Sequence, residues 1–282
     1  MKNLFDLSNR TVIITGGGGL LGEKHAEAVI RYGARAIIAD YNVNRAKKIS
    51  KKLNKLYEGD LATPAFVDVT DIGSIEELFK NHPQIDVLIN NAAKNPKVVK
   101  DKEREWFGAV ENNRFETMPI HYWNDGMNVM LLGNFLMSQK FINNFIKKNT
   151  DRKNSGIILN VASDLGVIAP DQRIYKKYDN ENDDAQDVKP VFYSVAKWGI
   201  IGMTKYLATY FAKYNIRVNS LSPGGVFNDH PVNFVEKLSN LIPMARMANV
   251  DEYQGAVVFL CSEASSYMTG HNLILDGGRT VW

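Results

Sequence analysis

Three observations on this sequence predict a doubly wound α/β fold with a parallel sheet. Short apolar runs alternate with amphipathic stretches, several of those runs end in Asp40, Asp68 or Asn90, and the first opens into the stretch Thr15-Gly16-Gly17-Gly18-Gly19-Leu20-Leu21-Gly22. Strands alternating with helices make βαβ units, and in such sheets ligands lie at the carboxyl ends of the strands. With 282 residues, 45% of them hydrophobic, the chain has material for the core of one large domain, taken as residues 1–282.

The first unit carries the strongest signal. Thr11-Val12-Ile13-Ile14 predicts a buried strand, and Glu23 to Tyr32 is rich in helix formers. Between them Gly17, Gly19 and Gly22 fit G-x-G-x-x-G. That spacing makes a tight turn, lets backbone approach a pyrophosphate and packs helix on strand, with the helix N-terminus offering free N–H groups to phosphate. A glycine turn can also simply join two elements, so its context matters. The next strand, Ala36-Ile37-Ile38-Ala39, ends in Asp40, eighteen positions beyond Gly22. An acid there accepts hydrogen bonds from both ribose hydroxyls and repels a 2′-phosphate, so NAD is expected in preference to NADP.

The remaining elements come in chain order. Asn42 to Leu56 has Ile49, Leu53 and Leu56 at helical spacing, and Ala65-Phe66-Val67 predicts a third strand ending in Asp68. Asp71 to Phe79 predicts a helix capped by Asp71 or Ser74, and Asp86-Val87-Leu88-Ile89 a strand running into Asn90-Asn91-Ala92-Ala93. Trp123 to Phe145 reads as one helix, Gly156 to Val161 as the strand that delivers Ser163, Tyr193 to Tyr214 as a long helix, and Arg217 to Leu221 and Asn272 to Leu275 as the last two strands. Three segments, near 94–122, 167–190 and 226–247, exceed ordinary connections. The first mixes charge with Trp106, Phe107 and Phe115, which suits a solvated loop or a substrate lid. The third, broken by Pro231 and Pro243, reads as a mobile substrate loop without regular structure.

Composition narrows the class. A net charge of +3 from 34 basic and 31 acidic residues mixed along the chain gives no field of one sign for nucleic acid or a membrane surface. The lone Cys261 excludes an intrachain disulfide framework, and no window reaches the roughly 18 apolar residues of a membrane span. The cytoplasm is the expected compartment.

These residues resemble the short-chain dehydrogenase/reductases. The glycine turn, Asp40, Asp68, Asn90 to Ala93, Ser163, Tyr193-Ser194-Val195-Ala196-Lys197, Asn219-Ser220-Leu221-Ser222-Pro223-Gly224 and Asp276-Gly277-Gly278 occur in the family's order over almost the whole chain. The resemblance implies a Rossmann domain with a seven-stranded sheet in order 3-2-1-4-5-6-7 and helices on both faces. It implies Ser163, Tyr193 and Lys197 as the catalytic residues. It implies an NAD site formed by Gly16, Gly17, Gly19, Leu20, Leu21, Gly22, Asp40, Asp68, Val69, Asn91, Ala92, Ala93, Tyr193, Lys197, Pro223, Gly224, Gly225 and Val226, with no metal. Two departures stand out. Leu20 occupies a position where shorter members place glycine, while Gly16, Gly19 and Gly22 match the spacing of the longer, sugar-nucleotide-modifying branch. Met130 occupies the register of the asparagine that completes the family's tetrad, and Asn128 lies about 200° away around a helix.

The chemistry so implied is hydride exchange between a nicotinamide and a secondary alcohol or ketone. Tyr193 acts as acid/base, Ser163 orients the same oxygen, and Lys197 and a positive nicotinamide favour the phenolate. The alternatives are a catalytically silent NAD-binding module, motivated by Met130, and a reductase of a 3-oxoacyl or other small carbonyl compound. For the substrate, Lys94, Lys97, Arg173, Lys176 and Lys177 either converge as an anion site or are solvated against Asp179, Glu181, Asp183 and Asp184, and Phe227 on the third loop is a further substrate candidate. Ala169-Pro170-Asp171, Ser222 to Val226 and Trp282 resemble bacterial members associated with surface-sugar and flagellin glycan synthesis. A homo-oligomer formed through the two long helices and the last strand is expected by the same resemblance.

Overall fold

The strand β1 (Thr11–Thr15) lies inside a seven-stranded sheet, where its residues Val12, Ile13 and Ile14, apolar on both faces, are covered on both. The computed structural model of the protein describes residues 3–94, 113–176 and 187–282. Around β1 are β2 (Arg35–Asp40), β3 (Ala62–Phe66), β4 (Val87–Asn90), β5 (Gly156–Val161), β6 (Ile216–Pro223) and β7 (Asn272–Leu275), ordered β3-β2-β1-β4-β5-β6-β7. Every pairing is parallel. The third strand starts earlier than Ala65 because Asn54 accepts from the N–H groups of Leu61 and Ala62 and so aligns Ala62 with Ala36. Pro64 is tolerated there because β3 lies at the sheet edge.

The helices divide between the two faces. On one side α1 (Leu20–Arg31), α2 (Val43–Leu56) and α8 (Gln254–Cys261) cover Val12, Ile14, Ile38 and Leu159. On the other, α3 (Ile72–Asn81), α5 (Gly133–Lys148) and α6 (Val191–Phe211) cover Ile13, Ile37, Leu88 and Ile158. Asn42 caps α2 and Asp71 caps α3 through side-chain acceptors, which satisfies N–H groups that have no partner inside the helix. Cys261 is fully buried at the end of α8.

Two expectations are corrected. The helix expected over Trp123 to Phe145 is interrupted: α4 (Ile120–Met127) passes through a π turn, Asn128–Leu132, into α5. The third loop contains α7 (Val232–Ser239), because Pro231 stands just before its first residue, where its missing N–H costs nothing, and Pro243 lies beyond its end. Phe234 and Leu238 of α7 pack with Ile174, Ile242 and Met247, which joins this loop to the segment before α6.

His25 on α1 is fully buried with neither ring nitrogen hydrogen-bonded, and burial pushes its pKa down to about 4. The unfolded chain therefore takes up a proton between about pH 6.5 and 4 that the folded protein refuses, so stability falls as pH drops through that window. From the 2.5-unit difference between 6.5 and about 4, His25 should account for about 3 kcal/mol of acid destabilisation. Denaturant unfolding across this range should show His25→Leu losing less stability on acidification than the unaltered protein. Parallel slopes would mean that His25 is not held neutral.

Candidate active site

The carboxyl ends of β1, β2 and β4 build a cradle around the glycine turn. Asn91, just past β4, donates from Nδ2 to the carbonyls of Thr15 (2.9 Å) and Gly16 (3.1 Å), while Thr15 Oγ1 accepts from the N–H groups of Asn91 and Ala92. Gly16 has φ +62°, and a Cβ there would lie 2.9 Å from Ala92 Cα, so both conformation and space require glycine. Gly19 stands at the N-cap of α1 with no capping side chain, leaving the first amides able to meet an anion. Gly17 and Gly22 pack inside the turn, Leu21 lies against the core, and Leu20 is exposed.

Asp40 ends β2 with Oδ2 accepting from Gly18 N (2.9 Å) and Oδ1 from Asn42 N (2.8 Å), which aims its carboxylate at the turn. A Cβ on Gly18 would lie 2.7 Å from Arg45 Cβ, so a guanidinium-bearing residue flanks the same corner from α2. Asp68 folds over Thr70 (2.7 Å to Oγ1), Val69 is buried, and Ala93 is exposed beyond Ala92. At the other end of the rim Pro223 closes β6, Gly224 N bonds to Leu275 O, Gly225 packs on Leu238, and Val226 bridges to Ala248. A glycine turn, an uncapped helix start and a carboxylate at the next strand end fit a dinucleotide.

Ser163, Tyr193 and Lys197 meet at the end of β5, only 6%, 8% and 3% exposed. Ser163 favours the ionised form of Tyr193, against the larger opposing effect of burial. Lys197, one helical turn beyond Tyr193, donates from Nζ to Val161 O at 2.7 Å and stands 5.7 Å from the Tyr193 ring centroid. Burial pushes the Tyr193 phenol up to about 12 and the Lys197 ammonium down to about 8. At Tyr193 burial and the nearby Asp164 charge thus outweigh the opposing effect of Ser163 in the protein without cofactor. Met130 lies in the π turn, fully buried against Phe192, Tyr193 and Ala196, and Asn128 is exposed, so no asparagine occupies the tetrad position. A buried amide network lies behind the site instead. Asn90 Nδ2 donates to Asn134, Ser138 and Asn160, and Asn160 donates to Thr204 (2.9 Å), tying β4 and β5 to α5 and α6.

Sequence reasoning missed four groups beside Tyr193. Asp164, directly after Ser163, pairs with Arg279 from the C-terminal turn at 2.6 Å. Lys189 places Nζ 3.9 Å from the Tyr193 ring centroid, its backbone clamped at both N–H and C=O by Gln172, and burial pushes its pKa down to about 7. Tyr175, against Phe234, is a phenol raised by burial. Of these, Asp164 and Lys189 were legible by adjacency to Ser163 and Tyr193, while Arg279 had no local signal.

The expected cations are differently disposed. Lys94 pairs with Asp125 (2.8 Å), and Arg173, its side chain 85% exposed, turns to Asp171 (2.7 Å). Lys176 offers its carbonyl to Lys237 Nζ (3.1 Å), Phe227 is half exposed near His230, and Lys97 and Lys177 lie outside the described residues.

The model of the short chain dehydrogenase family matches residues 10–175, and that of the enoyl-(acyl carrier protein) reductases matches residues 184–280. The chain belongs to the short-chain dehydrogenases. It is 32% identical to the D-arabinitol 2-dehydrogenase (ribulose-forming) of Scheffersomyces stipitis, covering 99% of this chain and 96% of that one. It is 28% identical to the 5-keto-D-gluconate 5-reductase of Escherichia coli K12, over 100% and 99% of the two chains. Among solved structures, a short-chain dehydrogenase from Leptospira borgpetersenii with bound NAD+ is 32% identical, with TM-score 0.77 over 99% and 96% of the chains. A gluconate 5-dehydrogenase from Burkholderia cenocepacia in complex with NADP and tartrate is 25% identical, with TM-score 0.79 over 99% and 98%. This short-chain dehydrogenase is accordingly an NAD(P)-binding oxidoreductase of CH–OH groups.

If burial dominates at Tyr193, ultraviolet difference titration against Tyr193→Phe should place the missing phenol near pH 12 without cofactor. A phenol titrating below 10 would mean that a cation of the site outweighs desolvation.

Proposed function

We propose that this short-chain dehydrogenase interconverts a secondary alcohol and a ketone on a polyol or sugar acid, with NAD preferred to NADP. The observation that carries the reading is the buried group Ser163, Tyr193 and Lys197 at the carboxyl edge of β5, on the same rim of the parallel sheet as the glycine turn. Ser163 and Tyr193 flank the reacting oxygen of the substrate. In oxidation the Tyr193 oxygen takes the hydroxyl proton, and in reduction it returns one to the carbonyl oxygen. A bound nicotinamide supplies the hydride acceptor or donor. Lys197 would hold the cofactor ribose, and its charge together with that of an oxidised nicotinamide would favour the phenolate. Gly16 to Gly22, Asn91 and Gly224 to Val226 would line a bound dinucleotide, and Asp68 and Val69 would belong to the same site.

A polar substrate is supported by the polyol and sugar-acid names of the relatives and by the polar groups Tyr175, Lys189 and Arg279 around Tyr193. The likeness of Ala169-Pro170-Asp171 and Ser222 to Val226 to surface-sugar and flagellin glycan enzymes belongs to the same proposal. The test is turnover of polyols, sugar acids and their keto forms with NAD and with NADP. Activity on at least one such pair, abolished in Tyr193→Phe with NAD binding nearly unchanged, is expected. Retained activity in that variant would remove Tyr193 from the acid/base role.

For cofactor choice, Asp40 would meet the ribose with a carboxylate, while Arg45 adjoins Gly18 from α2. NAD should bind more tightly than NADP, and Asp40→Ala should narrow the difference at least tenfold in the ratio of dissociation constants. Equal affinities of the unaltered protein for both would overturn the preference.

We further infer a homo-oligomer. Val195, Trp198, Tyr206 and Tyr210 form an exposed apolar stripe on α6, and Leu132 and Phe135 are exposed where the π turn enters α5. Patches of this kind mark association surfaces. Trp282, 76% exposed, donates from Nε1 to Leu241 O within its own subunit, so the two helices carry more of the argument than the terminus. Light scattering at micromolar concentration should give a multiple of the 31.7 kDa chain mass, and a monomer would refute it.

A further inference from the structure

Lys189 reaches Tyr193 by a route that the backbone fixes. It precedes Pro190, a ring that favours extended backbone in the residue before it. Pro190 is in turn the N-cap of α6, and its carbonyl accepts from Tyr193 N (3.1 Å). From the neighbouring segment Gln172 holds the same residue, Oε1 accepting from Lys189 N (2.8 Å) and Nε2 donating to Lys189 O (3.2 Å). Gln172 is itself anchored, because Asp171 accepts from Arg173 N (3.0 Å) and Ile174 packs on Phe234 and Leu238 of α7. The outcome is an ammonium 3.9 Å from the centroid of the Tyr193 ring. Fixing a long, flexible side chain costs conformational entropy, and burial disfavours its charge, pushing the pKa down to about 7. The ring face offsets part of that cost. A cation held beside the reacting group in a desolvated place marks a site for an anion.

The neighbouring charges are committed elsewhere. Lys197 donates to Val161 O (2.7 Å), and Arg279 meets Asp164 at 2.6 Å. Asp164, the carboxylate that acts on Lys189 through space, is thus bound to a guanidinium, and its other oxygen accepts from Leu165 N and Ser163 Oγ, each at 2.8 Å. Among Lys189, Lys197, Arg279 and Asp164 the balance of charge is positive. Lys189 Nζ stands over the Tyr193 ring while the phenol oxygen lies at the ring edge, so a span of only a few carbon–carbon bonds separates them.

We propose that Lys189 is a specificity residue that binds the carboxylate of a sugar-acid substrate, a few carbons along the chain from the hydroxyl or ketone at Tyr193. This rests on Tyr193 being the acid/base group of an alcohol–ketone exchange. A carboxylate accepts a charge-assisted hydrogen bond from Nζ and balances the ammonium, whereas a neutral hydroxyl accepts the bond and leaves the charge. The acid is therefore selected over the polyol with the same hydroxyl pattern. The anion site thus falls to a different cation from Arg173, which turns to Asp171.

Matched pairs of ligands test this. D-gluconate and D-glucitol share their hydroxyls and differ in a terminal carboxylate against a hydroxymethyl group, as do D-arabinonate and D-arabinitol. Each is titrated calorimetrically into the full chain with saturating NADH, which cannot take a hydride from them, at about pH 6, where Lys189 keeps its proton. The acid of at least one pair should bind at least tenfold more tightly than its polyol. Lys189→Met should bring that ratio within about threefold by weakening the acid, and Lys189→Arg should keep the acid ahead. Equal binding of acid and polyol in both pairs by the unaltered protein would overturn the proposal and leave the alcohol–ketone reading standing. So would a ratio unchanged in Lys189→Met, or a parallel loss of acid and polyol, which is what a purely structural role would give. Binding of none of the four ligands would overturn the polar-substrate reading itself, and the proposal with it.

Discussion

The site depends on the parallel pairing of β4 with β1 on one side and β5 on the other. Ile14 lies beside Ile89, and Ile89 beside Leu159, so the three strands end at one level. The residues just beyond the three strands therefore share a rim: the glycine turn after β1, Asn91 after β4, Ser163 after β5. Parallel sheets covered by helices on both faces hold their strands with little freedom to slip, because a one-residue shift would turn apolar side chains away from their partners in the core. Asn91 converts that shared level into a contact, bonding the carbonyls of Thr15 and Gly16 and bracing the turn from the next strand.

Burial governs the electrostatics around Tyr193. Tyr193 is driven toward the neutral phenol, and Lys189 and Lys197 are driven toward losing their protons, chiefly by desolvation. The pocket is therefore poised for proton exchange rather than carrying a preformed phenolate. Asp164 and Arg279 escape this pattern by pairing with each other, and the Ser163 proton is drawn into that pair. With Met130 filling the place of a polar side chain, the polar partners of this site come from the segment before α6 and from the C-terminal turn instead.

The segments between regular elements are more ordered than their composition suggested. The stretch around Ile174 packs on α7, and Gln172 clamps the backbone of Lys189, so two long connections form one wall beside Tyr193. The prolines that made 226–247 read as irregular mark the edges of a helix, because the ring obstructs a helix interior but not its first turn.

Local rules were enough for much of this protein. Alternating apolar runs specified the strands and their order of appearance, the glycine spacing specified the first turn, and Tyr193 and Lys197, one helical turn apart, specified a shared face. Each is set by interactions within a few residues, so each is written locally. Tertiary structure decided the rest. The register of Asn54 against β3 moved a strand boundary, and a π turn broke a helix whose apolar pattern looked continuous. The cations that seemed to converge found nearer anions, Lys94 at Asp125 and Arg173 at Asp171. Arg279 reached Asp164 from 115 positions away. Such pairings depend on which ends of the fold close on each other in a volume that excludes water, and no window of sequence contains that information.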